Sequence, residues 1–126
     1  MIRVYIATAR PEERAALRLM LLDLNVKVVG ESADWFTTLA KAPATKFNVL
    51  LVDWDILPMN AATGLSEIRR TSSSPFIIAM TSEQNVHKYQ SLAAEADAVI
   101  HKDGISSHLA EQLRPVVKNI EKEMSH

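Results

Sequence analysis

Val49-Leu-Leu-Val-Asp53-Trp-Asp-Ile-Leu-Pro58 joins an unbroken apolar run to an aspartate, a second acid and a proline. A short β-branched and aliphatic run ending in polar residues is the pattern of a strand covered on both faces, as in parallel sheets. Similar runs recur on either side, at residues 2–7, 26–29, 48–52, 76–80 and 98–100.

The segments between them carry helical spacing. Pro11, followed by Glu12 and Glu13, suits a first helical turn, and Leu17, Leu21 and Leu24 continue it. Ser32 or Asp34 is placed to cap a second helix carrying Trp35, Phe36, Leu39 and Ala40, and Leu65 and Ile68 mark a third. Ser82 and Glu83 open a fourth pattern with Val86 and either Leu92 or Ala93 inward, and Leu109, Leu113, Val116 and Ile120 mark a fifth. Pro115 predicts a kink or a late start in that last helix, and residues 71–75 read as a loop. Five strand–helix repeats predict one α/β domain over residues 1–126, with its core in about 1–122. The expected architecture is a flavodoxin-like, three-layer (βα)5 fold with right-handed crossovers. The expected order of the parallel sheet is 2-1-3-4-5.

Bulk properties exclude several function classes. With 126 residues, 48% hydrophobic and 23% charged, the chain fits one globular core. A formal net charge of −1 supplies no general attraction to nucleic acid or anionic membrane. The absence of cysteine removes disulfides, thiol catalysis and Cys-based zinc sites. No apolar run reaches the roughly 18 residues of a membrane span, and the start lacks signal-peptide order, so a cytoplasmic location is expected.

In open parallel sheets, reacting groups gather at the carboxyl ends of the strands. There stand Thr8, Ala9 and Arg10 after the first run, Asp53, Trp54 and Asp55 after the third, Thr81 and Ser82 after the fourth, and His101, Lys102 and Asp103 after the fifth. Arg10 reads as a solvated side chain, and Trp35 and Trp54 read as packing residues. His101 has no second histidine at ligand spacing.

These residues, in this order, resemble the receiver domain of two-component response regulators over about residues 1–122. Asp53 resembles the phosphoacceptor, Thr81 the switch hydroxyl and Lys102 the lysine that contacts the phosphoryl group. Pro11 resembles the proline that opens the first helix. The resemblance implies a non-enzymatic phosphorelay module in which a carboxylate takes a phosphoryl group from a phosphohistidine. Lysine and hydroxyl then offset the phosphoryl charge, with magnesium completing the site. Implied partners are a sensor histidine kinase or an output domain. A homodimer through the fourth helix, fifth strand and fifth helix is also implied. Lys102-Asp103-Gly104, with Ser106 close behind, resembles the version found in DNA-binding transcriptional regulators. Nothing within residues 1–126 reads as a helix-turn-helix, so no nucleic-acid contact by this domain is expected.

The sequence departs from the family at Thr8 and Ala9, which replace its acidic pair. Magnesium favours carboxylate oxygens, so its binding is expected to be weak and no resident cofactor is expected. Glu12 and Glu13 are expected to point along the first helix, leaving Asp55 as the auxiliary acid. The stretch from Asp53 to Gly64 is longer than usual, and Val99, Glu95 and Ala98 replace a common aromatic and common glycines. The leading expectation is therefore a receiver with a degenerate phosphorylation site, acting through protein–protein contacts. The alternative is a conventional Asp53-phosphorylated regulator with a rearranged metal site.

Overall fold

In the computed structural model, which describes residues 2–72, 75–82 and 95–124, the decisive stretch forms a central strand. This strand, β3 (Val49–Asp53), is buried along its whole length. Around it lie β1 (Arg3–Ala7), β2 (Lys27–Ser32), β4 (Phe76–Thr81) and β5 (Ala98–His101). The sheet order is β2-β1-β3-β4-β5, with every neighbouring pair parallel. The expected fold class and strand order are thus observed.

Strand side chains alternate between two faces, and each face has its own core. Val4, Ile6, Val49, Leu51, Ile78, Met80 and Ile100 meet helices α1 (Pro11–Asp23) and α4 (Ile105–Met124) through Leu17, Leu21, Leu109, Leu113 and Val116. Tyr5, Ala7, Leu50, Val52, Ile77 and Ala79 meet α2 (Trp35–Lys41) and α3 (Ala61–Thr71) through Trp35, Leu65 and Ile68. This is the expected three-layer arrangement.

Local signals explain most boundaries. Arg10 is extended, Pro11 begins α1, and the Arg10 carbonyl accepts from the Glu13 and Arg14 amides. Asp34, not Ser32, caps α2: its carboxylate accepts from the Thr37 amide at 2.7 Å. Ser32 instead ends β2, which runs beyond the expected 26–29, and its hydroxyl bonds the buried Tyr5 hydroxyl. Phe36 departs from its expected place in the apolar pattern. It is 83% exposed because Trp35 and Thr38 take the inner positions of this short helix.

Helix α4 starts at Ile105 and continues through Pro115, so the late start is not observed. Pro115 is exposed, which lets water reach the carbonyl that its ring leaves without an amide donor. The helical pattern expected after Ser82 lies outside the described residues.

Gly30 marks a close approach between β2 and β1. A Cβ there would stand 2.6 Å from Tyr5 Cε2, a ring atom held in the core. Gly30→Ala should therefore destabilise the fold by roughly 1–3 kcal/mol, the usual cost of overpacking, as read by urea denaturation.

Candidate functional site

The sheet register brings the strand ends to one edge. Asp53 ends β3 opposite Met80, and Thr81 ends β4 opposite His101. Lys102 follows β5 and is held there by its amide, which donates to the Thr81 carbonyl at 2.8 Å. Thr8 follows β1, with its amide on the Ser32 carbonyl at 3.0 Å. Thr8, Asp53 and Thr81 are all buried.

Lys102 reaches across the edge and contacts Asp53 directly. Its Nζ lies 2.6 Å from Asp53 Oδ2, and it also donates to Glu13 Oε1 at 3.1 Å and Oε2 at 3.3 Å. Thr8 Oγ1 stands 2.8 Å from Glu13 Oε2 and 3.2 Å from Asp53 Oδ2, so its single proton is shared between two carboxylates. Asp53 Oδ1 accepts from the Asp55 amide at 3.0 Å, which caps the 3-10 turn Trp54–Ile56. Both carboxylate oxygens of Asp53 are thus engaged.

Burial alone would lower the pKa of Lys102, because it penalises the charged form. The hydrogen bonds and charges of Asp53 and Glu13 together outweigh that effect and raise it above the ordinary lysine value.

Glu13 corrects the expectation that it points away along the helix. Pro11 fixes the start of α1 immediately behind Thr8, and Glu13, in the first turn, sends its carboxylate back into the pocket. An anion there also suits the positive end of the helix. The signal was present in the sequence: an acid at the third helical position, close to Thr8, with a lysine in need of anions.

Asp55, the expected auxiliary acid, stands beside Asp53 through its backbone. Its amide serves Asp53 while the residue itself is exposed. Ala9, Arg10 and Glu12 are also exposed. His101 Nδ1 accepts from the Asp103 amide at 3.3 Å, away from the carboxylate pair. Trp35 and Trp54 join the core on the α2–α3 face.

The geometry is poorly suited to magnesium. Two carboxylates are present, but the same ammonium pairs with both and occupies the space between them. No group of three or more His, Cys, Asp or Glu able to hold a metal occurs among the described residues.

A five-stranded parallel sheet with an aspartate, a hydroxyl and a lysine at its carboxyl edge defines a receiver-type α/β domain. The family model of the response regulator receiver domain matches residues 4–114, and the chain belongs to that family. Among solved structures, the isolated receiver domain of RcsB from Salmonella enterica serovar Typhimurium in its apo form is 25% identical, with a TM-score of 0.82. That match covers 94% of this chain and 90% of that one. The receiver domain of the putative response regulator NarL from Mycobacterium tuberculosis is 23% identical, with a TM-score of 0.76, covering 93% and 96%. RcsB from the same Salmonella serovar bound to promoter rprA is 25% identical, with a TM-score of 0.78. There the match covers 89% of this chain and 66% of that longer one. No curated protein matches the sequence. No described helix is long and apolar enough to cross a membrane.

The raised pKa fixes the sign of a pH effect. A cation favoured by the folded state contributes its full stability below the unfolded lysine value, about 10.4, and loses it as pH rises through the higher folded value. At neutral pH, Lys102→Met should cost on the order of 1–3 kcal/mol, since it removes hydrogen bonds between charged groups. The stability difference from the wild type should shrink when denaturation is repeated at strongly alkaline pH.

Proposed function

We propose that this receiver domain signals through protein–protein contacts and that its pocket is held by an internal salt bridge instead of being poised for phosphoryl transfer. The observation carrying this reading is the 2.6 Å contact from Lys102 Nζ to Asp53 Oδ2. A carboxylate attacking phosphorus needs a free oxygen in line with the leaving group. Here Oδ2 is held by Lys102 and Thr8, while Oδ1 is held by the Asp55 amide. Asp53, Glu13 and Lys102 together carry a formal charge of −1, which opposes the approach of an anionic donor.

In this reading Asp53, Thr81 and Lys102 serve chiefly to keep the sheet edge in one arrangement. Partners such as a histidine kinase or an output domain meet the outer surfaces, including the face built by β5 and α4, where a second copy of the domain would also dock. Contact with nucleic acid is left to an output domain where one is attached, since the chain's net charge of −1 gives no general pull toward phosphates. The competing reading, conventional phosphorylation of Asp53, is favoured by the retention of Asp53, Thr81 and Lys102 at three strand ends.

Incubation with acetyl phosphate or phosphoramidate and magnesium, followed by intact-mass measurement, separates the two. The proposal expects no phosphoryl adduct on the wild type. An adduct that is absent from Asp53→Asn would establish the conventional reading instead.

A further inference from the structure

We propose that the corner where α2 meets the segment between β3 and α3 is a docking surface for a protein partner that presents apolar and basic residues together on a helix. It adds a partner surface to the proposed mode of signalling, on the face of the sheet opposite α1 and α4, and does not depend on the state of Asp53.

The corner closes over a glycine. A Cβ at Gly64 would stand 2.8 Å from Pro58 Cγ and 3.2 Å from Trp35 Nε1, so the bare backbone of α3 lets the proline ring and the indole meet above it. Trp54, Ile56 and Leu57 pack against the core beneath, and the Asn60 side chain caps α3 by accepting from the Thr63 amide at 3.2 Å. The segment is thus anchored at both ends, yet what it holds outward is apolar. Met59, next to Pro58, is fully exposed, and Phe36, next to Trp35, is largely exposed. Two large apolar side chains flanking one rigid contact form a patch, and aromatic residues and methionine are the types enriched where proteins meet.

Trp35 adds a polar feature. Its indole N–H is buried and has no acceptor among the described residues. A buried donor left unpaired costs free energy, which an acceptor brought by a partner removes once the Pro58 ring shifts aside. Tryptophan is also among the side chains that dominate binding energy at interfaces.

Charge selects the partner. Residues 28–40 and 47–68, which supply the corner, contain no Lys, Arg or His. Asp34 and Asp55, close in the chain to Phe36 and Met59, are both exposed. Two copies meeting through this corner would bring those acids together, whereas a basic partner is attracted to them. The other exposed apolar pair, Leu19 and Leu22, stands on α1 with Arg14 and Arg18, the opposite charge setting.

Fluorescence anisotropy tests this with the whole chain and a labelled helical peptide carrying leucine on one face and lysine on the other. Phe36→Ser with Met59→Ser should weaken binding of this peptide about fivefold or more, while Leu19→Ser with Leu22→Ser should leave it within about twofold. A peptide with glutamate in place of lysine should bind the wild type about tenfold more weakly. All four substituted side chains are exposed, so the variants should keep the wild-type melting temperature. The wild type alone gives a second readout: the lysine peptide should move the Trp35 indole N–H resonance. Equal binding by the wild type and the Phe36–Met59 variant would overturn the proposal, as would equal affinity for the two peptides or an unmoved Trp35 resonance. A wild-type dimer in sedimentation that the same variant loses would assign the corner to a second copy and overturn the proposed partner. A phosphoryl adduct on the wild type, with the peptide pattern as predicted, would support this surface while removing the proposed reading of the pocket.

Discussion

The ammonium of Lys102 ties together two carboxylates that the chain places 89 and 49 residues away from it. Any change that moves β1, β3 or β5 along its axis, or rotates the start of α1, separates this group. The contact therefore depends on the entire parallel register, and its charge balance in turn steadies the edge where the strands end. Removing one member would leave a buried or half-buried charge without its partner, which costs far more than the intact pair gains over an apolar replacement.

The sheet supplies the precision. Val49, Leu50, Leu51 and Val52 are fully buried and pack alternately against α1–α4 and α2–α3, so β3 cannot slip by one residue without turning each core face inside out. Asp53 is consequently fixed at the end of the strand, and the turn Trp54–Ile56 fixes its carboxylate by donating the Asp55 amide. Pro11 performs the same task for Glu13 by setting where α1 begins. Side chains built on such anchored positions lose little conformational freedom when they meet, which favours a short contact.

The fold was legible because both of its periodicities are strong: apolar runs for strands covered on two faces, and repeats such as Leu17, Leu21 and Leu109, Leu113 for helices. The positions of Asp53, Thr81 and Lys102 followed from the same runs, since each stands at or just past the end of one. Glu13 was misjudged because helical spacing tells which face a residue occupies but not that a long side chain in the first turn can reach back past its own helix end. For Asp55 the pattern supplied the neighbourhood but not the group that makes the contact. Proximity in sequence placed it beside Asp53, whereas the 3-10 turn uses its amide and leaves the residue exposed. Phe36 shows the limit of pattern reading in a helix of two turns, where one residue of rotation decides which aromatic is buried.

The most direct test of the account is the titration of the Lys102 ammonium itself, followed by NMR in the wild-type chain with and without millimolar magnesium. A lysine bonded to both Asp53 and Glu13 should titrate above its ordinary value, and the curve should not move when magnesium is added. Titration at the ordinary lysine value, or a clear fall on addition of magnesium, would contradict the claim that this ammonium is the cation around which the pocket is built.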